Sequence, residues 1–149
     1  MTHPVPSEEE ISALLGHRFP GGSYSFQHWE NFLLTDCTES EQLPDQLVHP
    51  VALFHSGFLG SGTSIAEIFA LGQAESDLSI LIEGYDWEFD SPLREDINYR
   101  VDGEITAAER LHNEQGQLYD RIQFRFTFRD GSMEVARSTI TWHFTRNTL

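Results

Sequence analysis

The stretch LYDRIQFRFTFRD, residues 118–130, leaves little freedom in how this chain can fold. Ile122, Phe124, Phe126 and Phe128 fall at every second position, and Gln123, Arg125, Thr127 and Arg129 stand between them. A β-strand turns successive side chains to opposite faces, so this run is a strand with one apolar and one polar face. The same period returns at Ile80, Ile82, Tyr85, Trp87 and Phe89, at Ile97, Tyr99, Val101 and Ile105, and at Val135, Ile140, Trp142 and Phe144. SPLRED, HNEQGQ and RDGS separate the runs with turn-forming residues. Four such strands predict an antiparallel sheet with one face buried.

The first half reads as helices. Ser7 and Glu10 have the spacing of a capping box, Ile11, Leu14 and Leu15 follow as a short apolar stripe, and Gly16 is a natural stop. FPGG is a turn, Ser23–Phe26 a short strand, and 26–35 a helix with Trp29, Phe32 and Leu33 on one face. Residues 36–48 are a polar loop. In QLVHPVALFHSGFLGSGTSIAEIF, residues 46–69, His49 suits a helix cap and Pro50 the first helical turn. Val51, Ala52, Leu53, Phe54, Phe58 and Leu59 make the segment apolar nearly all round, which predicts a buried helix. GSGTS ends it, and a second short helix runs to Gly72. Helices followed by strands give an α+β chain, a helix packed on a curved antiparallel sheet. One domain is expected over 1–149, with 1–22 as an N-terminal tail and short helix.

Composition removes several classes of function. The formal charge is −15, and all nine basic residues are Arg, a poor balance for binding nucleic-acid phosphates. No apolar run reaches the length of a membrane span, and MTHPVPSEEE has neither the basic nor the apolar region of a signal peptide. Neither a nucleic acid nor a membrane is expected as a partner. Cys37 is the only cysteine, which excludes an internal disulfide and fits a reducing, cytoplasmic setting. The seven histidines are scattered, without an H-x-x-x-H or H-x-H pair, so no metal or other cofactor is expected.

LVHPVALFHSGFLG, LIEGYDWEFDSPLREDINYRVDGEITAAER and YDRIQFRFTFRDGSMEVARSTITW, in this order, resemble the hot-dog fold. More narrowly they resemble its MaoC-like, or (R)-specific enoyl-CoA hydratase, branch, over roughly residues 23–145. The resemblance implies a long central helix wrapped by the sheet, and an acyl channel formed between two subunits. It implies a homodimer, or a heterodimer with a related hot-dog chain, acting on an acyl-CoA or acyl-carrier-protein thioester. That branch carries an Asp, an Asn two residues on and a His five residues on. Asp36 takes the first place, but Thr38 and Glu41 stand at the other two. Pro50 replaces the glycine whose amide helps hold the thioester carbonyl, and proline has no N–H.

Asp36, His49 and His55 are therefore the candidate catalytic residues. Each also has a plainer reading: a solvated loop carboxylate, a helix cap and a core histidine. Phe54, Gly57, Phe58 and Gly60 are candidate substrate-binding residues, with close helix packing as the other reading of the glycines. Arg121, Arg125 and Arg129 read as a solvated sheet face or as partners for coenzyme A phosphates. The activity implied is hydration or dehydration of an enoyl or 3-hydroxyacyl thioester, a hydro-lyase reaction in which a general base moves the α-proton and helix amides carry the enolate charge. The alternatives are a non-catalytic subunit that pairs with an active homologue, and an acyl-CoA thioesterase.

Overall fold

The four alternating runs become β2 (Ile80–Phe89), β3 (Asn98–His112), β4 (Leu118–Asp130) and β5 (Met133–Thr145) in the computed structural model, which describes residues 4–146. With β1 (Gly22–Ser25) they form one five-stranded sheet in the order β1-β3-β4-β5-β2, antiparallel at every pairing. Register shifts at Ile82/Gly84, Ile105/Ala107 and Phe128/Arg129 mark irregularities where the long strands can bend. The apolar row of β4 is fully buried: Phe124, Phe126 and Phe128 each have 0% exposure. Burying such a ring stabilises by roughly 1.5–3 kcal/mol.

The apolar segment after His49 lies on this buried face. It begins as a 3-10 turn, Pro50–Ala52, and continues as α3 (Leu53–Gly60). Glycine lets it come close. A Cβ on Gly57 would sit 2.5 Å from the Phe126 ring, and one on Gly60 would sit 2.7 Å from Val101. Phe58 enters the same core, with ring centroids 5.0 Å from Phe126 and 5.9 Å from Phe124. Gly57 and Gly60 thus fit the plainer of their two readings, close helix-to-sheet packing, and Phe58 is buried in the same core. α4 (Ile65–Leu71) follows, opened by the Ser64 side chain and closed at Gly72.

α1 (Glu8–Ser12) carries the capping box expected of Ser7 and Glu10. Residues 1–3 of the expected tail lie outside the described residues. α2 (His28–Cys37) departs from the periodicity reading. Its buried residues are Glu30, Asn31 and Thr35, while Trp29, Phe32 and Leu33 are exposed. The helix turns its polar side inward because partners from other elements wait there for Glu30 and Asn31, while Thr35 bonds back to Asn31. The polar sheet face is as expected for the arginine row, with Arg121 paired to Glu83 and Glu109, and Arg129 to Asp102 and Glu134.

Candidate functional site

Glu30 is the only acidic residue in the first turn of α2, beside the helix's unpaired amides. Its Oε1 accepts from the Gln27 amide at 2.7 Å, so helix capping fixes one carboxylate oxygen. Its Oε2 accepts from the Tyr24 hydroxyl at 2.8 Å and faces His55 Nε2 at 3.0 Å. β1 supplies Tyr24, α2 supplies Glu30 and α3 supplies His55. A buried carboxylate is tolerated when its lone pairs are filled in this way.

The geometry decides the tautomer of His55. Tyr24 has one proton and gives it to Glu30, so both oxygens near His55 Nε2 need a donor from the ring. Nε2 therefore carries hydrogen, and Nδ1 of the neutral ring keeps a lone pair with no partner among the described residues. The Tyr24 hydroxyl is held well above the ordinary phenol range, first by burial and then by the hydrogen bond and charge of Glu30. It stays a donor.

His55 is not sealed in. Its side chain is 30% exposed and opens on a groove of about 670 Å³ lined by Leu34, Val51, Phe54, His55, Tyr85 and Trp87. Phe54 meets Tyr85 edge-on at 5.2 Å, and the two form the apolar bridge between α3 and β2.

His49 is placed differently. Its Nδ1 accepts from the Val51 amide at 3.1 Å, and its Nε2 faces Thr38 Oγ1 at 3.4 Å. The lone pair a base would use is spent on capping the 3-10 turn. The amides of Ala52 and Leu53 also have internal carbonyl partners, so the helix mouth offers no free amide for an oxyanion. Asp36 is exposed on the last turn of α2, and its carboxylate has no partner among the described residues. The structure brings His55 and Phe54 to one groove and leaves His49 and Asp36 out of the cluster.

Two residues of the cluster, Tyr24 and Glu30, escaped the sequence reading. The Gln27-x-x-Glu30 spacing was the one local signal, since it matches a capping box. Asn31, the next residue, pins the loop. Its side-chain amide donates to the Leu47 carbonyl at 2.9 Å and to Glu95 at 2.7 Å, and its Oδ1 accepts from the His49 amide at 3.0 Å.

No protein-family model matches the sequence, and no curated protein matches it. Solved structures do. The chain is similar to the ChsH1-ChsH2 complex from Mycobacterium tuberculosis, with a TM-score of 0.69 and 9% identity, over 95% of this chain and 90% of that one. It is similar to the HadBC (3R-hydroxyacyl-ACP dehydratase) complex of the same organism, with a TM-score of 0.66 and 8% identity, over 87% of this chain and 96% of that one. A MaoC-like dehydratase from Phytophthora capsici matches at a TM-score of 0.63 and 13% identity, over 97% of this chain but 52% of its own length. All three are hot-dog proteins. With its helices on the buried face of a five-stranded antiparallel sheet, this chain has the hot-dog fold.

Proposed function

We propose that the chain acts on an acyl thioester, hydrating an enoyl thioester or dehydrating a 3-hydroxyacyl thioester, with His55 as the base. One observation carries this reading: Nε2 of His55 is held on Glu30, Nδ1 has no partner among the described residues, and the side chain lines an apolar groove. In the hydration direction Nδ1 takes a proton from water, and the water oxygen bonds to C3 as the C2=C3 π bond opens. The charge gathers on the thioester oxygen, and Nδ1 returns the proton to C2. A positioned His contributes about 10²–10⁴-fold to such a transfer. Glu30 keeps the ring in the required tautomer and steadies the imidazolium once it forms. Likeness in fold to dehydratases supports the reading.

A second chain fits the sheet's free edge. β2 is an edge strand, and Leu81, Ile82 and Phe89 on it are exposed. Exposed apolar edges invite pairing. Two of the similar structures are named as complexes, which favours a second reading: a subunit that shapes the groove while a related chain supplies the chemistry.

The test is turnover of crotonyl-CoA and longer enoyl-CoA thioesters by the purified chain. Water addition by the chain alone supports the enzyme. Activity that appears only on co-expression with a hot-dog homologue favours the subunit. Release of free coenzyme A thiol without water addition would make it a thioesterase.

A further inference from the structure

β2 is a ten-residue strand with one free edge. Its inward row, Ile82, Tyr85, Trp87 and Phe89, is registered against Trp142, Ile140, Ser138 and Ala136 of β5, all of them buried. The core row thus runs on into β2, yet Ile82 is 61% and Phe89 38% exposed there, and Tyr85 and Trp87 line the open groove beside His55. An apolar row along an unpaired edge is what a second strand covers. The other face of β2 restricts which strand. From Glu75 to Leu93 the chain holds six carboxylates, Glu75, Asp77, Glu83, Asp86, Glu88 and Asp90, and no basic residue. Arg121 and Arg137 reach across from β4 and β5. Arg121 is shared between Glu83 and Glu109, and Arg137 among Glu88, Asp90 and Glu134, so the strip keeps its negative charge. Asp86 is exposed and has no ion pair among the described residues.

A second copy meets this edge badly. Antiparallel strands set residues of one face opposite each other, close enough for charges to interact directly and on the diagonal. Two-fold pairing of β2 centred on Asp86 puts Asp86 against its own copy. Centring on Trp87 puts Asp86 against Glu88, and centring on Tyr85 leaves the two Asp86 diagonal. Like charges across strands are destabilising, and here they add to a formal charge of −15 on each chain. We propose that the β2 edge selects a different chain as its partner. That chain's edge strand carries Arg or Lys on the outward face, opposite Asp86 and Glu88, and apolar residues on the inward face, beside Ile82, Trp87 and Phe89. Its charge supplies the discrimination, and its apolar row extends the groove wall. The proposal rests on the reading that a second chain pairs with this edge, and it names that chain's chemistry.

Charge variants of the full chain serve as the probes, with association read by sedimentation equilibrium and native mass spectrometry. In low salt the wild type should self-associate weakly, and sodium chloride at about 1 M should strengthen that association by screening the repulsion. Asp86→Asn/Glu88→Gln should self-associate about threefold or more tightly than wild type, because the repulsion is gone. Wild type mixed with Asp86→Arg/Glu88→Arg should form a mixed dimer about tenfold or more tighter than either homodimer, and salt should weaken it. A wild-type homodimer as tight as the mixed one in low salt, or one that salt loosens, overturns the partner's chemistry and leaves the second-chain reading standing. A neutral variant no tighter than wild type, or mixing that ignores the exchange at 86 and 88, overturns it too, since the contact then lies elsewhere. No association in any combination would overturn both. Should the charge-reversed variant fail to melt as a folded protein, the salt response of the wild type and the neutral variant decide the matter.

Discussion

Asp120 and Glu30 are both buried carboxylates, and each takes three donors. Arg110 gives Asp120 two of them at 2.9 and 3.0 Å, and Arg146 the third at 2.8 Å. The arginines then spend further N–H groups on backbone: Arg110 on Pro6, and Arg146 on Gly72 and Gln73 at the end of α4. Those last carbonyls are among the ones a helix leaves unpaired, so the cluster fastens α4 and the N-terminal segment to the sheet. The side chains of Asp120 and Arg146 have 0% exposure. Glu30 is tied to a ring whose second nitrogen has no partner among the described residues, on a side chain that lines a groove. A polar cluster that closes on the protein holds structure together. One that stops a single bond short, at a cavity wall, is where a ligand can complete it.

The largest effect should come from opening the closed cluster. Asp120→Asn strips the charge that pairs with Arg146, which is wholly buried, and with Arg110, which is 14% exposed. Removing one partner of a buried pair costs about 3–5 kcal/mol, a drop in melting temperature of roughly 10 °C or more. Denaturant titration would measure it, and any loss of turnover should follow the loss of folded protein. A change below about 1 kcal/mol would mean that this cluster is not the fastening described.

In the open cluster the balance reverses. His55→Gln keeps an N–H toward Glu30 but has no basic nitrogen. Hydration should fall about a hundredfold or more while the melting curve moves by no more than a few degrees. Glu30→Gln comes next. Losing the orienting charge should cost about tenfold in rate, as loss of a supporting partner commonly does. It should also leave a mark on Tyr24. Two of the causes that hold the Tyr24 hydroxyl up, the hydrogen bond and the charge of Glu30, disappear, and burial remains. Ultraviolet titration against Tyr24→Phe should find the phenol ionising at lower pH than in the wild type.

His49→Ala tests the contrast from the other histidine. As a cap it should cost on the order of 1 kcal/mol of stability and leave the rate within a few-fold. A hundredfold loss at unchanged stability would return His49 to the chemistry and remove the case for His55 as the lone base.

These expectations also show what a sequence can and cannot display. The alternation in β4 is written residue by residue because its pattern and burial have one cause, so β2 to β5 were legible. The segment after His49 was legible in part: Ala52, Leu53 and Phe58 are buried as an all-round apolar helix implies, but Phe54 is 37% and Leu59 64% exposed. The inner face of α2 was not. Trp29, Phe32 and Leu33 looked like a core stripe, yet Glu30, Asn31 and Thr35 are buried instead. Periodicity registers hydrophobicity, whereas Glu30 and Asn31 on this face are held by hydrogen bonds that reach partners as far as 64 residues away. The same blindness hid Glu30 and Tyr24 while showing His55, because a histidine in an apolar helix stands out and its distant carboxylate does not.

The smallest effect belongs to the solvent face, where ion pairs are closed neither by burial nor by backbone. Glu83 takes two bonds from the Arg121 side chain at 2.7 and 3.0 Å and faces His143 at 3.1 Å. Arg121 first and His143 second lower its carboxyl from 4.5 to about 2. The folded value lies below the unfolded one, so the contribution is complete above pH 4.5 and fades as the pH falls toward 2. Glu83 is 41% exposed, and screening holds the gain to about 1 kcal/mol or less. Asp90 and Asp96 are lowered by Arg137 and Arg94 in the same direction, so the wild-type curve alone cannot isolate Glu83. The difference in melting temperature between wild type and Glu83→Gln can. It should be a few degrees near neutral pH, shrink as the pH drops through the carboxylate range, and shrink again in high salt. The gap opened by Asp120→Asn should largely persist in that same salt, because Asp120 and Arg146 are wholly buried and ions cannot reach them. If salt erased both gaps alike, the distinction between a closed cluster and an exposed pair would fail at the point where it is most easily measured.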